Sequence, residues 1–302
     1  MGTVMLGTEV AKAMKERLIQ RAEAMKEKGV MPKLAILRVG ARPDDLSYER
    51  GAKKRMELTG MASQVVELPE DVSQKKLEET LEALNRDTSV HGILVFRPLP
   101  GHLDEEPLKQ MIDPVKDVDC MSPVNMAKVF AGDDSGYAPC TAEAVMEMLD
   151  HYGIDPEGKK VTVVGRSMVV GKPLAMLLLK RHATVTTCHT RTADLAGTCR
   201  QAQILVAAAG KAKMVTADMT GEGAVVLDVG INVDEEGNLC GDVDFEAVEP
   251  KASFISPVPR GVGSVTTSVL AGHVLRAAHE LKVLGNQKYI RIRRSKDCIY
   301  RV

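Results

Sequence analysis

Apolar positions along this chain change period repeatedly, and the changes set out its elements. Residues 8–28 carry Val10, Met14, Leu18, Ala22 and Met25 on one side of a helical wheel, with charges elsewhere and Gly29 as a stop. Residues 33–39 form an apolar run of strand length, followed by the polar turn Gly40-Ala41-Arg42-Pro43-Asp44-Asp45. A second helix is expected over residues 46–59, closed by Gly60. Then come a strand near 63–68, a helix opened by Ser73 with Leu77, Leu81 and Leu84 inward, and a strand at 92–96. Strands alternating with helices of this size make a parallel α/β sheet.

Pro98-Leu99-Pro100-Gly101 interrupts that pattern, and a loop-rich region follows through Asp113-Pro114-Val115-Lys116-Asp117-Val118-Asp119. Ligand sites of open sheets lie beyond the carboxyl ends of strands, where such loops gather. Thr141 is expected to cap a helix ending at Gly153, and Asp155-Pro156-Glu157-Gly158 reads as a junction. Alternation then resumes over 161–165, 171–182, 184–188, 192–201, 203–208 and 224–228, the size and order of a dinucleotide-binding domain. Residues 232–241 suggest a hairpin turning at Glu236-Gly237-Asn238. A last helix is expected over 262–281, packing back on the first domain. The domains implied are 1–153 with 262–302, and 154–261. No repeat of solenoid period is present.

The stretch Val161-Thr162-Val163-Val164-Gly165-Arg166-Ser167-Met168-Val169-Val170-Gly171-Lys172-Pro173 organises the second half. A β-branched run breaks at Gly165 and restarts at Gly171 as a helix whose first turn holds Pro173, where a missing N–H costs nothing. Strand, glycine turn and helix N-terminus together make an anion site. The spacing is G-x-S-x-x-x-G, not the G-x-G-x-x-G of many dinucleotide domains. The next strand ends Cys188-His189-Thr190-Arg191-Thr192, with no acid before Asp194 to take a ribose 2′-hydroxyl. Arg191 and Arg166 suit a 2′-phosphate, which favours NADP, with NAD as the alternative.

Composition narrows the class. At 302 residues two domains are the better expectation; apolar residues at 44% supply the cores, and aromatics at 3% make the packing aliphatic. A net charge of -1 argues against nucleic acid or a membrane surface as partner. Only residues 288–301 are strongly basic, read as a solvated tail. Cys120, Cys140, Cys188, Cys199, Cys240 and Cys298 form no CxxC pair, which fits free thiols in a reducing cytoplasm, and no His/Cys cluster suggests a metal. There is no myristoylation signal, secretory core or membrane-length apolar run.

Several motifs occur in a telling order: Val39-Gly40 with Tyr48, Gly92-Ile93-Leu94-Val95 before Pro98-Leu99-Pro100, Lys116-Asp117-Val118-Asp119, and Pro139-Cys140-Thr141. They continue with Gly165-Arg166-Ser167 and Val170-Gly171-Lys172-Pro173, Asp228-Val229-Gly230-Ile231-Asn232, Gly241-Asp242-Val243, and Pro257-Val258-Pro259 with Gly261-Val262-Gly263. Together they resemble the methylenetetrahydrofolate dehydrogenase/cyclohydrolase family from end to end, apart from the basic tail. The resemblance implies a two-domain homodimer, with an N-terminal α/β catalytic domain, a Rossmann-like domain and folate in the cleft between them. It implies oxidation of 5,10-methylenetetrahydrofolate to the 5,10-methenyl form, followed in bifunctional members by hydrolysis to 10-formyltetrahydrofolate. By the family pattern Tyr48 and Asp119 are catalytic and bind substrate together with Pro257, Gly261 and Gly263. Gly165, Arg166, Ser167, Gly171, Pro173, His189, Arg191, Gly210 and Ile231 are expected around the cofactor. Asp119 offers two acceptors to the amino and ring N–H donors of a pterin.

Departures from the pattern bear on the second activity. Bifunctional members carry a lysine four residues after the tyrosine and a glutamine before the Pro-Leu-Pro turn; here these are Ala52 and Phe96. Lys53 and Lys54 would project about 100° and 200° away from position 52 on a helix. Arg260 and Ser264 stand where the family often has glycine and proline. The expectation is a dehydrogenase with doubtful cyclohydrolase activity. The alternatives are a full bifunctional enzyme recruiting Lys53, Lys54 or Arg97, a non-catalytic folate- or dinucleotide-binding protein, and an unrelated dehydrogenase on the same fold. The Tyr-x-x-x-Lys pair of the short-chain dehydrogenases is absent.

Overall fold

A computed structural model describes residues 2–234 and 236–299, with side chains described as far as Leu284. In chain order, β1 (Thr3–Val4) precedes α1 (Gly7–Glu27), β2 (Lys33–Val39), α2 (Pro43–Leu58), β3 (Ala62–Leu68), α3 (Gln74–Arg86) and β4 (Gly92–Val95). Two short helices, α4 (Glu106–Met111) and α5 (Pro123–Ala131), come before α6 (Cys140–His151). Alternation resumes with β5 (Lys160–Val164), α7 (Gly171–Lys180), β6 (Thr184–Cys188), α8 (Leu195–Arg200), β7 (Ile204–Ala207) and β8 (Val225–Asp228). The hairpin β9 (Asn232–Val233) and β10 (Leu239–Cys240), α9 (Phe245–Val248), β11 (Phe254–Ile255) and α10 (Thr266–Ile299) follow. No helix among the described residues is long and apolar enough to cross a membrane.

Contacts divide the chain into two units, Lys15–Pro123 with the chain from Leu270 onward, and Met1–Met14 with Val124–Val269. The first is built on a parallel sheet of order β3-β2-β4. Alternation along β2 and β4 turns Ala35, Leu37, Val39, Ile93 and Val95 to one face, where they bury Leu77, Leu81 and Leu84 of α3. Ser73 caps that helix by accepting from Lys76 N at 3.3 Å. The other face is covered by α2, with Ala52 and Met56 fully buried.

The second unit holds a six-stranded parallel sheet of order β1-β11-β8-β7-β5-β6. The chain steps outward from β5 to β6, then returns to β7 on the other side of β5. That reversal leaves a crevice at the carboxyl ends of β5 and β7, the usual place for a ligand in such a sheet.

Four expectations shift. The helix expected from residue 46 begins at Pro43, because a proline at the first position and Asp44 and Asp45 in the first turn all favour a helix start. Thr141 does not cap α6; Pro139 takes the capping position, without a side-chain bond, and Thr141 lies in the first turn. The division at 153/154 moves, since residues 1–14 and 124–153 group with the nucleotide-type sheet. β1 extends that sheet through β11, the Tyr152 hydroxyl accepts from Leu6 N at 2.6 Å, and α6 packs on α7. The last helix runs beyond residue 281 to Ile299, while the side chains of the basic stretch 288–301, and of Cys298, lie outside the described residues.

Candidate functional site

At the end of β5, Gly165 adopts φ 130° and donates its N–H to Cys188 O at 2.9 Å. A Cβ there would lie 2.1 Å from Ala208 O, and a Cβ on Gly171 would lie 2.1 Å from Gly165 O. The turn therefore closes on itself with room for hydrogens alone. It forms a cradle of backbone, which a side chain would fill, at the start of α7. Ser167 fixes the turn by accepting from Val170 N at 3.1 Å, and Arg166 is exposed beside it. At the end of β6, His189 Nδ1 accepts from Arg191 N at 3.1 Å and His189 N donates to Thr192 Oγ1 at 2.9 Å, which leaves the Arg191 side chain exposed. Asp194, the first acid after β6, is occupied as the cap of α8, accepting from Gly197 N at 2.8 Å. A glycine cradle at a helix start, with two exposed arginines beside it, fits the phosphates of a dinucleotide. Gly210 and Ile231 follow β7 and β8 at the same end of the sheet, Gly210 at φ 67°.

Two buried aspartates, absent from the expected site, stand beneath those last two loops. Asp242 accepts from Ala209 N, Gly210 N and Lys211 N at 2.6, 2.9 and 2.8 Å, and from Asn232 Nδ2 at 2.9 Å. Asp228, at the end of β8, accepts from Gly230 N, Asp242 N and Val243 N at 2.9, 3.0 and 2.9 Å. Burial pushes the Asp228 carboxyl up to about 6, opposed by those backbone donors and helped by the Asp242 charge. A glycine near each acid is the trace the pair leaves in the sequence, which does not show that the two motifs meet. A Cβ on Gly230 would come within 2.3 Å of Asp242 Oδ1, and one on Gly241 within 1.9 Å of Asp228 Oδ2.

Pro257, Gly261 and Gly263 line one cavity of about 220 Å³ together with Ile231 and the departures Arg260 and Ser264. Arg260 sits at φ 75°, a conformation costly outside glycine, and its carbonyl accepts from Gly7 N at 2.9 Å.

Tyr48 and Asp119 belong to the other unit. Tyr48 projects from α2, and its ring meets that of Phe96, just past β4, edge-on at a centroid distance of 5.9 Å and an angle of 73°. Ala52, one turn further along α2, is fully buried. Lys53 turns instead toward Glu49, 3.9 Å away, and Lys54 is exposed. Sequence reading missed the buried cation of this wall, Arg38, whose Nε lies 2.9 Å from Glu49 and whose Nη2 lies 2.9 Å from Glu67.

The loop carrying Asp119 is pinned on both sides. Lys116 Nζ, buried, donates to the carbonyls of Leu84, Asn85 and Asp87 at the end of α3, and burial lowers its pKa. Asp117 accepts from Met121 N and Ser122 N at 2.7 and 2.8 Å, while His273 Nδ1 lies 2.8 Å from Val118 O. Cys120 is held at φ 58°, and burial, then Asp117 and Asp119, push its thiol up, with Arg97 pulling the other way. No group of His, Cys, Asp or Glu among the described residues could hold a metal.

Family models match both halves of the chain. Residues 5–119 match the tetrahydrofolate dehydrogenase/cyclohydrolase catalytic domain, and residues 139–282 the NAD(P)-binding domain of the same family. A protein of Clostridioides difficile (strain 630), named bifunctional protein FolD, is 57% identical over 276 residues, covering 91% of this chain and 96% of that protein. The crystal structure of a Campylobacter jejuni bifunctional FolD superposes with a TM-score of 0.91 at 40% identity, covering 93% and 99% of the two chains. A Trypanosoma brucei FolD, complexed with NADP and an inhibitor, gives a TM-score of 0.88 at 37% identity over 92% and 98%.

Proposed function

Because this chain belongs to the tetrahydrofolate dehydrogenase/cyclohydrolase family, we propose that it oxidises 5,10-methylenetetrahydrofolate to the 5,10-methenyl form with NADP, in one-carbon folate metabolism, and lacks the cyclohydrolase step. The observation that carries this reading is the edge contact of Tyr48 with Phe96 beside a buried Ala52, while the glycine cradle for the dinucleotide is intact.

The bound nicotinamide supplies hydride acceptance, and the chain's own residues have only to place two reactants. Gly165 and Gly171 let backbone N–H groups approach phosphate, and Arg166 and Arg191 provide forks for a 2′-phosphate. Asp119, on its pinned loop, accepts from the pterin, and Tyr48 lies against the folate. Hydrolysis asks for more: a water must be placed and deprotonated, and a positioned side chain for that is worth about 10²–10⁴ in rate. Ala52 supplies no base, and Phe96 supplies no hydrogen bond and helps exclude solvent.

The competing reading is a full bifunctional enzyme, favoured by the name of the Clostridioides difficile relative. It needs Arg97, Lys53 or Lys54 to take over the lysine's role. We further read the protein as a cytoplasmic homodimer. Its five described, buried free cysteines fit a reducing compartment, and Val233 and Leu239 expose apolar surface on the β9–β10 hairpin.

The cofactor assignment is tested by turnover of methylenetetrahydrofolate with NADP and NAD at equal low concentrations. NADP is expected to be faster, and Arg191→Ala to weaken NADP by about one to two decades while leaving NAD nearly unchanged. Faster turnover of the wild type with NAD contradicts it.

A further inference from the structure

We propose that Asp242 is a positioning residue for the dinucleotide, holding the loops after β7 and β8 in the conformation that receives it. The inference rests on the cofactor reading above and adds to it a residue that makes no contact with the reactants.

The geometry is that of a two-carboxylate clamp. Three consecutive backbone N–H groups, from Ala209 to Lys211, converge on the Asp242 carboxylate. A fourth donor, Asn232 Nδ2, joins it to the loop that follows β8 and carries Ile231. Gly210 and Ile231 thus take their places from one side chain. Asp228 in turn fixes the backbone of Asp242 itself, through the N–H groups of Asp242 and Val243, and closes the turn at Gly230. Both acids are buried, and among the described residues neither is bonded to a cationic side chain, so their charge is met by backbone and amide donors alone.

Such an arrangement resists substitution, because the N–H groups held by Asp228 are buried and the part-buried N–H groups from Ala209 to Lys211 would lose the acceptor that sets their direction. It also explains the residue types in two motifs. Asp228-Val229-Gly230-Ile231-Asn232 and Gly241-Asp242-Val243 are two halves of one reciprocal clamp, in which Gly230 and Gly241 leave the space that the opposite carboxylate fills. A scaffold alone would need neither the run of donors on the loop after β7 nor the tie to Asn232. These two bonds act on the two segments where the sheet's crevice opens.

The test uses the full-length protein and follows NADPH binding by fluorescence, the KM for NADP and for folate, kcat, and the thermal midpoint. Asp242→Asn is nearly isosteric but replaces one acceptor oxygen by a donor. It is expected to weaken NADPH binding and raise the NADP KM by tenfold or more, the scale of one lost charge-assisted bond. The folate KM should stay within about twofold, and saturating NADP should restore kcat. Asn232→Ala, which keeps the three backbone bonds and loses only the tie, should weaken NADPH by a smaller factor with the same selectivity. If Asp242→Asn does not fold, a selective loss in Asn232→Ala supports the inference and unchanged NADPH binding there overturns it. Equal NADPH binding by wild type and a folded Asp242→Asn overturns it alone, as does a fall in kcat that saturating NADP does not repair. A wild type that binds neither NADPH nor NADH overturns the cofactor reading, and the inference with it.

Discussion

Asp119 gains a fixed position from the residues beside it. Lys116 is bonded to the end of α3 and Val118 to His273 of α10, while Asp117 closes the loop on itself through Met121 N and Ser122 N, so the backbone on either side of Asp119 is held. A ligand donor left facing an empty site costs more than the bond itself was worth. Asp119→Ala is therefore expected to abolish folate turnover while NADPH binding, read by fluorescence, stays near wild type. A variant that keeps most of its dehydrogenase rate would remove Asp119 from the site. Tyr48 and Asp119 stand out in the sequence because the residues around them repeat a family pattern. Arg38 does not, since a charge inside an apolar run reads as an exception until its partners Glu49 and Glu67 are seen folded onto it. The Asp228–Asp242 clamp was hidden for the same reason. Its two halves are separate motifs in sequence and meet only through hydrogen bonds.

Among the elements, the turn from β5 into α7 carries the most constraint. Val164 O accepts from Ala208 N at 2.8 Å, so β7 lies directly against the turn and cannot retreat from an added methyl. Gly165→Ala meets both the Ala208 carbonyl and a φ open only to glycine. It is expected to lower NADPH affinity by tenfold or more and to reduce the thermal midpoint; unchanged NADPH binding would dismiss the cradle. This element was readable in advance, as were β2 and α3, because each is long enough to show its period. Two-residue strands such as β1 and β11 are too short to show one, and Pro43 was taken for a turn residue when it starts a helix. Proline and aspartate favour both, and only the packing of α2 decides between them.

For the whole molecule, the division of the chain was the least legible feature. Residues 1–14 read as the start of the first unit, yet β1 completes the edge of the larger sheet through β11. Periodicity reports which face of an element is buried, never against what. Function at this scale turns on whether one activity has been lost while the other persists. The central claim is tested by following methenyltetrahydrofolate at neutral pH in a weakly catalytic buffer, with and without the protein, and again with Tyr48→Phe. The account predicts decay at little more than the buffer rate in all three. An acceleration of a hundredfold or more, abolished by Tyr48→Phe, would show that another residue does the work of the missing lysine, and the protein would then be bifunctional.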